Sequence, residues 1–268
     1  MSKKPIGIFD SGVGGLTVFK EIRKRFPNED IIYFGDTARV PYGPKSQSTV
    51  IDYSIQNARF LIQQGAKIIV IACNTSSATA LSELQKSLPV PVLGVIEPGA
   101  LSAVSTSVNK RIGVIGTEGT IRSKAYSSAI SNLDDNCKVF SKPCPLLVPL
   151  AEEGWEDHDV TKLTIKEYLT SLLRNNIDTL VLGCTHYPIL KASIQQFVGD
   201  DITLVDSAEA VTDKLDEILP NREVTGIGED RFYVSDNEDK FNSIASKILN
   251  MEIDKLIRVK LSEGWFLN

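Results

Sequence analysis

The sequence predicts an α/β fold made of two similar halves that pack closely, with a cleft between them. Three observations carry the prediction. Apolar strand-like runs alternate with amphipathic helices along the 268 residues, the pattern of a parallel sheet covered by helices. A strand running into a Gly/Ser/Thr turn occurs twice, as Pro5-Ile-Gly-Ile-Phe-Asp-Ser-Gly12 and as Arg111-Ile-Gly-Val-Ile-Gly-Thr-Glu-Gly119. An apolar strand that delivers a thiol also occurs twice, as Ile68-Ile-Val-Ile-Ala-Cys73 and Thr179-Leu-Val-Leu-Gly-Cys184. This is a weak internal duplication, and no low-complexity tract or flexible linker separates its copies.

The first strand, 6–9, runs into Asp10-Ser-Gly-Val-Gly-Gly15 and a helix from about Leu16. Glycines there permit a tight turn and leave N–H groups facing outward, which suits a carboxylate or phosphate. The spacing is not G-x-G-x-x-G, no acidic ribose partner follows about 20 residues on, and Asp10 would repel a pyrophosphate. Asp10 could instead merely cap the following turn. Strand 31–35 leads into Asp36-Thr-Ala-Arg-Val-Pro-Tyr-Gly-Pro44, whose prolines and glycine fix an irregular loop at a strand end, where α/β proteins place ligand contacts. A helix over 47–64 follows, with Val50, Ile51, Ile55, Ala58, Leu61 and Ile62 on its apolar face. Strand 67–72 then ends at Cys73-Asn-Thr-Ser-Ser-Ala-Thr-Ala80, at the start of a helix. That position favours negative charge on sulfur. A fourth strand, 92–95, is followed by Glu97-Pro-Gly99, read as a break.

In the second half, Pro143-Cys-Pro-Leu-Leu-Val-Pro-Leu-Ala-Glu-Glu-Gly154 reads as an apolar, proline-rich connection ending in two carboxylates. Ile165, Tyr168, Leu169, Leu172 and Leu173 mark the next helix by their spacing. Beyond Cys184 come a helix over 189–198, a strand over 202–205, and a helix carrying Val211, Leu215, Ile218 and Leu219. The tail from Glu223 holds strand-like Phe232-Tyr-Val234 and an amphipathic helix with Phe241, Ile244, Ala245, Ile248 and Leu249. The basic run from Lys20 to Arg25, interleaved with Val18, Phe19, Ile22 and Phe26, reads as the solvated face of a helix.

With 29 basic and 34 acidic residues the net charge is −5, so nothing draws the chain to nucleic acid or an anionic membrane. No apolar run approaches the roughly 20 residues of a membrane span. No signal-peptide pattern opens the sequence, and a cytosolic protein is expected. Four cysteines, at 73, 137, 144 and 184, lack zinc-ribbon or Cys-x-x-Cys spacing. Disulfides are not expected in a reducing cytosol, and Cys137 and Cys144 are assigned to packing.

A lone buried cysteine is ordinarily a small hydrophobe, but Cys73 and Cys184 are matched in place and would face one cleft if a pseudo-twofold relates the halves. Two thiols across a cleft can hold one base and one acid. One removes a proton from a carbon and the other returns a proton to its opposite face, which inverts it. Asp10, Glu152 and His186 are the polar groups placed to tune those transfers. Three other readings stay open. Cys184 with His186 could form a hydrolase dyad, which leaves Cys73 unexplained. The same pair could ligate zinc, with His158 the one other imidazole. A binding module could close on a dicarboxylate without turning it over. The residues alone define the substrate only as a small anion with an acidic C–H.

Five segments together carry a family resemblance over nearly the whole chain. They are Gly7-Ile-Phe-Asp-Ser-Gly-Val-Gly-Gly-Leu16, Gly35-Asp36 through Pro41-Tyr42-Gly43, Ala72-Cys-Asn-Thr75, Glu97-Pro-Gly99 and Leu182-Gly-Cys-Thr-His-Tyr-Pro188. The chain resembles the cofactor-independent aspartate/glutamate racemases. Ser76-Ser77 stands where members often carry Ala or Thr, a change not expected to disturb the thiol.

The resemblance implies interconversion of L- and D-glutamate with no cofactor and no metal, supplying D-glutamate for peptidoglycan precursors. It makes Cys73 the base toward the D enantiomer, supported by Asp10, and Cys184 the base toward the L enantiomer, supported by Glu152 and His186. Asp10, Ser11, Tyr42, Gly43, Asn74, Thr75, Thr185 and His186 become the substrate-contacting set. The implied fold is two flavodoxin-like α/β domains related by a pseudo-twofold, with the active site in the cleft between them. Residues 1–96 with 209–268 form the first domain and 97–208 the second, in a cytoplasmic homodimer whose partner is the small-molecule substrate.

Overall fold

Two parallel sheets organise the chain in the computed structural model, which describes residues 4–219, 226–253 and 255–261. In order, β1 (Ile6–Asp10), α1 (Leu16–Arg25), β2 (Ile31–Gly35), α2 (Gln47–Gln63), β3 (Ile68–Ile71), α3 (Asn74–Ser87) and β4 (Val92–Gly94) build most of the first sheet. After α4 (Ile96–Thr106) come β5 (Arg111–Gly116), α5 (Glu118–Arg122), α6 (Ala125–Leu133), β6 (Lys138–Pro143), α7 (Leu147–Glu152), α8 (Asp159–Leu173), β7 (Thr179–Gly183), α9 (Lys191–Val198) and β8 (Thr203–Asp206). The chain continues through α10 (Ser207–Ile218), β9 (Asp230–Val234), α11 (Glu238–Leu249) and β10 (Leu256–Arg258).

The sheet orders are β10-β9-β2-β1-β3-β4 and β6-β5-β7-β8. The second repeats the β2-β1-β3-β4 core of the first strand for strand, which is the flavodoxin-like order and the duplication expected from sequence. β3 and β7 are therefore equivalent strands, and each ends one or two residues before a thiol. Helices cover both faces of such a sheet, so its central strands read as unbroken apolar runs. Every residue of β1, β2, β3 and β7 is buried.

The tail finds its place in the first sheet, where β9 pairs with β2 in parallel, Phe232 opposite Tyr33. Phe19 and Phe232 pack with ring centroids 5.0 Å apart on one face of this sheet, and Phe34 and Phe60 with the same separation among the core residues of the other. Each such pair adds about 0.5–1.5 kcal/mol beyond the area it buries. The basic run lies on α1, whose Leu16, Val18, Phe19 and Ile22 face inward. Cys137 and Cys144 sit in separate apolar clusters.

Some expectations need correction. Glu97-Pro-Gly99 is no break but the first turn of α4, where the missing N–H of proline costs nothing because first-turn N–H groups lack intrahelical partners anyway. The supposed connection 143–154 is preceded by the edge strand β6 and contains α7, so Glu152 is the last residue of a helix. After Cys184 the chain makes a 3-10 turn, Tyr187–Leu190, before α9 begins. The expected domain borders at 96/97 and 208/209 fall just inside α4 and α10. Residues 1–3, 220–225, 254 and 262–268, parts of the expected first domain, lie outside the described residues.

Candidate active site

Asp10, the last residue of β1, is fully buried and takes the Gly12 N–H at 3.0 Å on one carboxylate oxygen and the Thr185 hydroxyl at 3.4 Å on the other. The glycine turn was expected to offer its N–H groups to a ligand. Instead those of Gly12, Gly15 and Ser11 favour the Asp10 carboxylate. Burial still raises the Asp10 pKa, against the lowering pull of His186 and these N–H groups.

Cys73 is the N-cap of α3, and its Sγ lies 3.6 Å from Ser11 Oγ. Position at a helix start does not win here. Burial, and then the charge of Asp10, push the thiol up to about 11, while the Ser76 N–H and hydroxyl and the Ser11 hydroxyl pull the other way.

Cys184 has a different support. Its Sγ is 3.9 Å from His186 Nδ1, and His186 Nε2 is 3.1 Å from Glu152 Oε1. Lys240, from α11, bonds the other Glu152 oxygen at 3.1 Å. Burial alone would lower the His186 pKa, but its bonds to Cys184 and Glu152, with the charges of Cys184 and Asp10, carry it to about 10. Glu152 is lowered to about 2, chiefly by its bond to His186 and against the cost of burial, with Lys240 helping. The imidazole reaches this position past Gly14, where a Cβ would stand 2.5 Å from His186 Nδ1 and 2.6 Å from Thr185 Oγ1.

One cavity of about 30 Å³ has both thiols in its wall. From the expected contact set, Ser11, Tyr42, Gly43, Asn74, Thr75 and Thr185 line it, as does His186. Asp10 and Glu152 are not in the wall; they touch residues that are. Larger clefts of about 410 and about 580 Å³ open elsewhere, and no thiol lines either, so size alone would misplace the site.

Hydroxyl and amide groups tie the two halves together at this cavity. Thr75 Oγ1 is 2.8 Å from Thr117 Oγ1 and 3.3 Å from Thr120 Oγ1. Asn74 Nδ2 donates to the Tyr126 hydroxyl at 2.9 Å and to Ser207 Oγ at 3.3 Å. The Tyr42 hydroxyl donates to Asp36 and accepts from Asn57, so its ring and backbone are what remain for a ligand.

A family model described as Asp/Glu/hydantoin racemase matches residues 8–215. The chain belongs to this family. It is 51% identical to the glutamate racemase of Geobacter metallireducens over 97% of its own length and 98% of that protein's. Its fold matches a glutamate racemase isoform from Bacillus anthracis with a TM-score of 0.92 and 41% identity, covering 96% of this chain and 98% of the other. A glutamate racemase from Francisella tularensis, solved in complex with D-glutamate, matches with a TM-score of 0.91 and 42% identity over 98% and 99% of the two chains.

The cavity also holds residues that sequence reasoning passed over. Val40, Pro41, Thr117 and Val148 line the thiol cavity, and Thr120 supports Thr117 at 3.1 Å. Thr117 had a usable signal, since it follows β5 as Ser11 follows β1. Among the described residues no group of three or more His, Cys, Asp and Glu side chains could hold a metal ion. His158 caps α8 through Val160 N–H at 3.1 Å and stacks on Trp155. Among the described residues no helix is long and apolar enough to cross a membrane.

Proposed function

We propose that the chain is a glutamate racemase that passes the α-proton between two thiols on opposite faces of the substrate carbon. The single observation that carries this reading is that Cys73 and Cys184 line one cavity while each is held by its own set of polar groups. At neutral pH Cys73, pushed up to about 11 by burial and then by Asp10, holds its proton. It is ready to give that proton up to carbon. Cys184 faces an imidazolium that stays charged to about 10, a good partner for negative charge on sulfur. Cys184 thiolate would take the α-proton of L-glutamate, the electron pair would pass to the α-carbon and its carboxylate, and Cys73 would protonate the opposite face. Cys73 is then the thiolate and Cys184 the thiol. The D enantiomer runs the same steps in reverse.

Hydroxyls of Ser11, Thr75, Thr117 and Thr185 suit the two carboxylates, and donors at the α-carboxylate would stabilise the charge that develops there. The relative solved with D-glutamate supports glutamate as substrate. A cavity of about 30 Å³ is about one water molecule's share of liquid. Residues 1–96 with 209–268 and residues 97–208 would therefore move apart as domains to admit the substrate. The reading extends, through the resemblance, to a cytoplasmic homodimer that supplies D-glutamate for peptidoglycan precursors.

The test is L-glutamate in heavy water. Early deuterium should enter the D product and not recovered L-glutamate, and Cys73→Ser and Cys184→Ser should each lose racemisation. Near wild-type turnover by either variant would sink the two-thiol scheme. A hydrolase built on Cys184 and His186 would instead leave Cys73 dispensable.

A further inference from the structure

Ser76 is buried to 0% exposure, and no atom lies in hydrogen-bonding geometry to its Oγ, which it shares among the described residues only with Arg231 Nε. A hydroxyl stripped of water and left without a partner is costly, and such groups are rare enough in folded proteins to need a reason. Its neighbourhood supplies one. Cys73 is the N-cap of α3 and Ser76 is the third residue of that helix, the position whose N–H faces the N-cap side chain and whose own side chain turns back toward the N-cap residue. Resting on the two-thiol reading above, we propose that Ser76 is a positioning residue for Cys73: its hydroxyl is left idle by the thiol and becomes a donor to sulfur when Cys73 turns into the thiolate.

The charge around Cys73 makes such a donor necessary. The titratable groups facing its sulfur are Asp10, from the end of β1, and Tyr33, from β2, with Cys184 and His186 across the cavity. Asp10 opposes negative charge on the sulfur, and burial opposes it more. Relief comes from the Ser76 N–H, the Ser76 hydroxyl and Ser11. Ser11 lines the cavity, where substrate competes for its hydroxyl. Ser76 lies outside the cavity wall and keeps its hydroxyl for the sulfur throughout turnover. A bond that forms as Cys73 gives its proton to carbon favours that transition state, and the thiolate that follows it, over the resting thiol, which is where binding energy accelerates a reaction. The serine at this position is then functional, against the expectation that its exchange for alanine leaves the thiol undisturbed.

The experiment compares wild type with Ser76→Ala and Ser76→Thr. Iodoacetamide labelling of Cys73, followed by peptide mass spectrometry across pH, reads the thiolate directly. Ser76→Ala should move the labelling midpoint upward by about one unit, a tenfold loss of thiolate at fixed pH. It should also slow turnover by about three- to tenfold and enlarge the isotope effect with α-deuterated D-glutamate but not with the L enantiomer. Ser76→Thr, which keeps a hydroxyl, should hold the wild-type midpoint. A Ser76→Ala labelling curve that overlies wild type overturns the proposal, as does slower turnover with both isotope effects unchanged, the mark of a packing role. Cys73→Ala separates the two levels. If it still racemises glutamate, the two-thiol reading and this inference fail together. If it is inactive while Ser76→Ala labels like wild type, only this inference fails.

Discussion

Glu152 holds one carboxylate oxygen 3.1 Å from His186 Nε2, and this contact, after the bond to Cys184, keeps a buried imidazole charged. The relationship joins the end of α7 to the turn after β7.

Glu152→Gln keeps the shape and removes the charge. The His186 pKa should fall from about 10 by about one to two units, since an opposite charge in contact is worth that much. Racemisation should drop by about tenfold or more. The chain has only two histidines, so an NMR titration of ring protons resolves His186 from His158. An unmoved His186 would remove Glu152 from this role.

Lys240 bonds the second Glu152 oxygen with its own side chain half exposed. Solvent screens such a pair to about 1 kcal/mol or less. Lys240→Gln should therefore slow turnover no more than about fivefold, and added salt should narrow the gap to wild type. Steady-state rates at two ionic strengths check this.

Gly14→Ala tests a contact between the halves. A Cβ there would lie 2.5 Å from the His186 ring, and relief requires moving the imidazole that faces Cys184. Stability should fall by about 1–3 kcal/mol, and activity should fall further than the unfolded fraction explains. Urea unfolding and turnover on one preparation give both quantities.

Stability should decline with alkali. His186 is raised from 6.5 to about 10 and Cys73 from 9.0 to about 11, so the folded state binds more protons than the unfolded chain at high pH. The His186 contribution is whole below 6.5 and fades as pH climbs through about 10, and that of Cys73 fades between 9.0 and about 11. Glu152 acts at the other end, where its contribution is lost as pH falls from 4.5 through about 2. Melting temperatures from pH 6 to 11 should fall steadily, and His186→Asn should flatten the lower part of that decline.

Much of the framework was legible in the chain. The runs that became β1, β2, β3 and β7 are buried on both faces and read as unbroken apolar strings. The edge strand β6 was missed because its residues range from exposed to half-buried and carry no such signal. α4 was mistaken for a break because Pro98 and Gly99 end helices in general, but not in a first turn. Thr117 and Thr120 escaped notice because a hydroxyl has no periodicity, and its meaning lies in Thr75 across the cavity.

The sequence by itself determined the strand-and-helix alternation, the duplication, and the thiol at the end of each equivalent strand, because burial periodicity and strand ends are local properties of a chain. Only the tertiary structure decided that Cys73 loses the benefit of its helix to burial and Asp10, and that His186 is held charged between Cys184 and Glu152. Those outcomes depend on desolvation and on charges brought together from distant segments, and neither exists until the chain has folded.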